Sequence, residues 1–285
     1  MIVITGNKGQ LGFDIEKVCK LRNLDYFGID KDELDITNPD AIHTFFNEHE
    51  IDTFIHCAAF TAVDVAEDNP ELCYQVNTEA VKYLVDACKT HNVKFIFIST
   101  DYVFGGDKDG IYQVDDSPSP LSVYGKSKAD AELYIQQNLK NYYIVRISWA
   151  FGLNGKNFVR TMLRLGKERD TLSVVSDQIG SPTYTKDVAP LLIEMALTDK
   201  YGVYHATNEG YCSWADFTRY ILSKAQYSTK VNDILTRDYP TKAVRPMNSR
   251  LSKDKLEENG FKRLPSWQDA VDRYLQELMD EEGTL

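Results

Sequence analysis

In the first 150 residues short apolar runs alternate with amphipathic stretches, and this alternation limits the fold more than any other feature. Ile2 to Thr5, Tyr26 to Ile29, Thr53 to Cys57, Lys94 to Ser99 and Tyr142 to Ile147 read as buried strands. Between them, Leu11 to Arg22, Pro39 to Glu48, Pro70 to His91 and Ser122 to Leu139 read as helices, with apolar residues recurring at three and four. Parallel strands need crossover connections, and helices of this length supply them, so the chain is expected to be α/β with a doubly wound parallel sheet. Asn69-Pro70 predicts a helix start, an N-cap followed by proline at the first helical position.

After about residue 150 the pattern loosens. Asn157 to Glu168, Thr185 to Leu197, Ser213 to Ala225 and Ser266 to Met279 read as helices, and Leu172 to Val175 and Gly202 to His205 as strands. The expected organisation is residues 1–150 as the main nucleotide-binding domain. Residues 151–285 would hold the remaining sheet elements and a smaller, irregular C-terminal substrate-binding lobe that need not be continuous in sequence.

The first strand runs straight into "GNKGQLG", Gly6 to Gly12, and then a helix. Glycines at a strand–helix junction let the backbone approach a pyrophosphate while the helix N-terminus offers N–H donors, and Asp30 stands where a ribose-binding carboxylate belongs. Together these features predict a Rossmann-type dinucleotide site. Asp30 would repel a 2′-phosphate, but Lys31 follows it, so NADH and NADPH both remain open.

Composition narrows the partners. A formal net charge of −11 on 285 residues disfavours nucleic acid and anionic membranes, which both call for clustered Lys and Arg. The five cysteines form no CxxC pair and fall mostly in apolar segments, which suggests reduced core residues rather than disulfides or a metal site. No apolar run approaches a membrane span and the chain opens without a leader-like segment, so a cytoplasmic protein is expected.

The fourth strand ends in "ISTDYVFGG", which puts Ser99, Thr100, Asp101 and Tyr102 at the carboxyl end of the sheet, where ligands bind. "VYGKSK" then opens a helix, and Tyr124 and Lys128 share one face four residues apart, an acid beside a cation.

The glycine turn, the hydroxyls after the fourth strand and the YxxxK helix start together resemble the extended short-chain dehydrogenase/reductases. In closer wording, "GQLG", "DITN", "AAFTAVDVAE", "STDYVFGG", "VYGKSK", "RISWAFG", "SDQIGSPTY" and "RPMNSRL" are similar to the dTDP-4-dehydrorhamnose reductase family, in order over most of the chain. The resemblance implies NADPH- or NADH-dependent reduction of the 4-keto group of dTDP-4-dehydro-L-rhamnose, a step toward dTDP-rhamnose and cell-surface polysaccharide, by a monomer or homodimer. It implies Thr100, Tyr124 and Lys128 as catalytic residues: Tyr124 donates the proton, Thr100 binds the carbonyl oxygen, and Lys128 favours the phenolate and holds the nicotinamide ribose. Gly6, Gly9, Gln10, Leu11 and Gly12 match the phosphate loop, Asp30, Asp35 and Ile36 the adenosine surroundings, and Ala58, Ala59 and Thr61 the cofactor lining. Thr100, Asp101, Trp149, Arg245 and Asn248 match the substrate side. Glu16 could hold a dimer-bridging Mg²⁺, as in some relatives, or simply face solvent. Tyr102 stands where related dehydratases carry a second acid, which disfavours elimination. Another nucleotide-sugar reductase or epimerase, or a regulatory subunit resembling methionine adenosyltransferase beta, are the alternative readings.

Overall fold

The computed structural model describes residues 1–283. The first half runs β1 (Ile2–Thr5), α1 (Gln10–Leu21), β2 (Tyr26–Ile29), α2 (Pro39–Glu48), β3 (Thr53–His56), α3 (Val63–Asp68), α4 (Pro70–Tyr74), α5 (Ala80–His91), β4 (Lys94–Thr100), α6 (Val123–Asn138) and β5 (Tyr142–Ile147). The second half continues β6 (Ala150–Phe151), α7 (Phe158–Glu168), β7 (Thr171–Val175), β8 (Ile179–Gly180), β9 (Thr183–Tyr184), α8 (Thr185–Ala196), β10 (Gly202–His205), β11 (Cys212–Ser213), α9 (Trp214–Lys224), β12 (Lys230–Ile234), β13 (Asn248–Ser249), α10 (Asp254–Glu258) and α11 (Trp267–Glu282).

Six parallel strands form the main sheet in the order β10-β5-β4-β3-β1-β2. Successive strand side chains point to opposite faces, and the sequence uses both. Ile2, Ile4, Ile55 and Ile96 pack under α1 and α8, while Val3, Phe54, Phe95 and Phe97 pack under α2, α5 and α6. The order reverses beside β1, which places a crevice at the carboxyl ends of β1, β2 and β3.

The chain leaves this sheet after β5, returns for α8 and β10, and leaves again. The lobe built by the two excursions has its own core, with Phe151, Tyr184, Phe217, Trp267 and Tyr274 at its centre. Its strands pair in small sheets: β11-β8-β13, β12-β7 and β6-β9. Leu172 to Val175 therefore belongs to the lobe, whereas Gly202 to His205 extends the main sheet.

Two local expectations change. The helix expected over Pro70 to His91 is interrupted by a π-helical turn at Gln75–Glu79, a wider turn that redirects side chains and occurs often at functional sites. Asn69 makes no side-chain cap for α4. Its amide donates instead to the Val65 carbonyl at 3.0 Å, finishing α3. Capping succeeds elsewhere: Ser122 accepts from Gly125 N, Asn157 from Arg160 N, and Ser213 forms a capping box with Asp216.

Candidate active site

Gly6 takes φ +66°, and a Cβ there would stand 2.9 Å from the Ala58 nitrogen. A Cβ on Gly12 would meet the Gly6 carbonyl oxygen at 2.3 Å. The turn is closed by Gly9 N–H donating to Gly6 O at 2.9 Å, and α1 starts at Gly9 with no side-chain cap. Its first N–H groups are thus left for an anion. Beside this turn a cleft of about 340 Å³ is lined by Gly6, Asp30, Asp35, Ile36, Ala58 and Ala59 among the expected residues. An uncapped helix N-terminus next to a strand-end carboxylate fits a dinucleotide, with phosphate at the first and ribose hydroxyls at the second.

Other expected contacts lie differently. Asp35 spends a carboxylate oxygen on the backbone and hydroxyl of Thr37, at 3.0 and 2.6 Å, which holds it below the usual carboxylate range. Leu11 is buried in the core beneath α1 and α8. Gln10 accepts a hydrogen bond from Asn157 at 3.1 Å and ties the glycine turn to the lobe. Thr61 is exposed and outside the cleft lining. Glu16 is partly buried, accepts from Asn7 at 3.2 Å and lies against Gly28. Among the described residues no group of three or more His, Cys, Asp or Glu could hold a metal ion.

The sequence reading missed Thr5, His56 and Asn77. The Thr5 hydroxyl oxygen accepts from the N–H groups of Cys57 and Ala58, both at 3.1 Å, so its proton goes to His56 Nδ1 at 2.8 Å. Burial holds the His56 imidazole down to about 3, hence neutral. Asn77, in the π-helical turn, receives Phe60 N–H at 2.8 Å and donates to the Phe60 carbonyl and the Ser127 hydroxyl, both at 3.1 Å. Ser127 in turn donates to the Tyr124 carbonyl at 2.8 Å. The crossover thus fixes both the cleft wall beside Phe60 and the start of α6. Nothing in its spacing advertised this, because the π-turn breaks helical periodicity.

Tyr124 is the second residue of α6 and is buried beside Thr100, its hydrogen-bond partner. Tyr102 meets its ring edge-on, centroids 5.6 Å apart. Gly125 is required here because any Cβ would lie 2.2 Å from the Tyr102 carbonyl oxygen. One turn on, Lys128 is 2 % exposed. The sequence suggested that Lys128 would pull the phenol toward neutrality, but burial governs both groups. It pushes the Tyr124 phenol up, with the Thr100 hydrogen bond opposing, and pushes the Lys128 ammonium down to about 7, with Glu132 opposing.

Asp101 is buried and accepts from Thr100 at 3.1 Å and Ser249 at 2.5 Å; burial pushes it up to about 6 despite both bonds. Arg245 reaches the same wall, donating to the Tyr102 hydroxyl at 2.9 Å and to Asp64 at 2.6 Å. Asn248 is committed to the fold: its amide donates to the Lys108 and Gly110 carbonyls at 2.7 and 2.8 Å, and its oxygen accepts from Arg250. Its side chain braces the 108–110 loop, and both of its amide protons are spent on those carbonyls. Trp149 lies two residues beyond β5 rather than ending it.

A doubly wound parallel sheet, a glycine turn at its switch point and a Thr–Tyr–Lys set at its carboxyl edge define an oxidoreductase of the extended short-chain dehydrogenase/reductase class. Residues 1–280 match the family model described as the RmlD substrate binding domain. The dTDP-4-dehydrorhamnose reductase of Aggregatibacter actinomycetemcomitans is 43% identical over 284 residues, covering 95% of this chain and 96% of its own. The crystal structure of the reductase of that name from Bacillus anthracis, in complex with NADP, superposes with a TM-score of 0.94 at 39% identity, covering 97% and 98% of the two chains. A UDP-glucose 4-epimerase from Thermus thermophilus, 18% identical with a TM-score of 0.82, shares the fold alone. This chain belongs to the RmlD family, that of the dTDP-4-dehydrorhamnose reductases. No helix among the described residues is long and apolar enough to cross a membrane.

Proposed function

We propose that this protein reduces the 4-keto group of dTDP-4-dehydro-L-rhamnose to give dTDP-L-rhamnose, with NADPH or NADH as the reductant and Tyr124 as the proton donor. The observation that carries the reading is the buried Thr100–Tyr124 hydroxyl pair with Lys128 one helical turn away. Gly6, Gly9 and Gly12 and the N-terminus of α1 would take the pyrophosphate, Asp30 the adenosine ribose, and Ala58 and Ala59 the cleft wall. The reduced nicotinamide supplies hydride to the carbonyl carbon.

The protein's part is proton handling and orientation. A phenol whose pKa is raised by burial is fully protonated at neutral pH, so Tyr124 has a proton to give as charge develops on the carbonyl oxygen. Thr100 would turn its one hydroxyl proton from Asp101 to that oxygen as a second donor. Lys128, whose ammonium burial pushes down to about 7, can offset the phenolate left behind and return a proton to it. The buried Asp101 would accept from sugar hydroxyls, Trp149 would offer its ring to the nucleotide sugar, and Arg245 would exchange Asp64 for the diphosphate. The substrate would then lie between the carboxyl edge of the main sheet, with Asp101, and the lobe built after β5, with Arg245. Dehydration is disfavoured because Tyr102, bonded to Arg245, supplies no second carboxylate.

The test is consumption of NADPH and NADH by purified protein with dTDP-4-dehydro-L-rhamnose generated in place, and product identification by NMR. Sugar-dependent oxidation giving the 4-hydroxy product supports the reading. Tight dinucleotide binding without turnover of this sugar overturns it.

A further inference from the structure

We propose that Trp214 is a positioning residue for the nucleotide sugar: with Gly180 it clamps the indole of Trp149 into a fixed wall of the substrate site. The proposal rests on the reading of Trp149 as a substrate contact. Trp149 has φ +49°, in the left-handed region that bulky side chains rarely enter. Such a conformation persists only where the surroundings over-determine it. Here they do. A Cβ at Gly180 would stand 2.9 Å from the Cε2 and Cζ2 atoms of the Trp149 ring, so only glycine leaves the ring its place. Trp214 stacks on that ring with centroids 3.6 Å apart and planes 15° from parallel, and is itself backed by Phe158 at 4.5 Å.

One small sheet sets the positions of Gly180 and Trp214. β8 pairs antiparallel with β11, Gly180 opposite Cys212, so the residue after β11, Trp214, is delivered to the ring that Gly180 admits. β8 also pairs in parallel with β13, Gly180 opposite Ser249, and Ser249 donates to Asp101. The same three strands therefore tie the aromatic pair to Ser249 and, through it, to the buried Asp101 carboxylate that also accepts from Thr100. Both indoles are only partly buried, so part of the stacked pair stays open to a flat or apolar surface of the ligand, a nucleobase or a pyranose ring.

The experiment compares Trp214→Leu, Trp214→Phe, Gly180→Ala and Trp149→Phe with wild type for KM and kcat toward the keto sugar, Kd of the dinucleotide, and the exciton couplet of stacked indoles in circular dichroism. Expected for Trp214→Leu is loss of the couplet and a rise of about tenfold in KM, with kcat and dinucleotide Kd nearly unchanged. Trp214→Phe should lose the couplet yet recover most of the KM, because a ring still covers Trp149. Gly180→Ala should shift couplet and KM together, and it decides the matter if Trp214→Leu does not fold. A wild-type KM in Trp149→Phe refutes the substrate contact itself. A raised KM in Trp149→Phe with wild-type KM in folded Trp214→Leu or Gly180→Ala leaves that contact standing and overturns the clamp.

Discussion

The ammonium of Lys128 lies 3.8 Å from the centroid of the Phe97 ring, on the strand beneath it. The aromatic face offsets part of the cost of removing a cation from water, yet burial still holds the group down to about 7. The unfolded chain, with an ordinary lysine, therefore binds more protons between about pH 7 and 10, and stability contributed by this site rises with pH across that window. Lys128→Met removes the penalty. Its melting temperature should exceed that of wild type at pH 6, by an equivalent of about 2–4 kcal/mol at most, with the difference fading toward pH 10. A constant difference across calorimetric scans at those pH values contradicts a buried, depressed ammonium.

Tyr124→Phe keeps the ring that packs against Tyr102 and loses only the acidic proton. Turnover should fall by roughly 10²–10⁴-fold, the usual worth of a general acid, with dinucleotide affinity within a few-fold of wild type. Stopped-flow reduction and a fluorescence titration of the cofactor report the two quantities. Turnover at the wild-type rate removes Tyr124 from the chemistry.

Asp101 has the opposite electrostatic logic to a salt-bridged acid. Its folded pKa is raised to about 6, so the stability it contributes is present below about pH 4 and lost as pH rises through about 6. Asp101→Asn should cost more stability at pH 4.5 than at pH 8, where the wild-type carboxylate is ionised and buried. Urea midpoints at the two pH values measure this, and equal shifts at both would falsify it.

Gly125→Ala aims a methyl group at a carbonyl 2.2 Å away. Either α6 or the Tyr102 backbone must move, so a loss of about 1–3 kcal/mol in stability is expected, with a larger fractional loss of kcat because Tyr124 is the neighbouring residue. Wild-type stability and kcat together would show that the helix start has slack the structure does not suggest.

Arg146, on β5, donates to both Glu132 oxygens, its shortest contact 2.6 Å, with both residues at most 2 % exposed. Removing one partner strands a buried charge. Arg146→Met should cost about 3–5 kcal/mol in denaturant unfolding, and adding Glu132→Leu should recover much of it. If the double variant is no better than the single, the pair is not the source of the loss.

The alternation of apolar runs and amphipathic stretches was sufficient for the parallel sheet, because each short run between helices must be buried on both faces. The glycine turn, Asp30 and the Tyr124–Lys128 spacing were likewise legible: they are local in sequence, and their geometry follows from one strand end or one helical turn. Other features needed distant segments to meet. Asn77 acts through a π-turn that hides from periodicity, Thr5 and His56 bond across adjacent strands, and Trp149 is held by Gly180 and Trp214 from later in the chain. Asn248 looks like a ligand contact in isolation, but both of its amide protons go to carbonyls that only folding brings near, and the Gln10 amide oxygen likewise meets Asn157 from the lobe. Charge behaves the same way. A lysine four residues after a tyrosine suggests a depressed phenol pKa, and what reverses that expectation is desolvation, a property of the packed interior that no local spacing encodes.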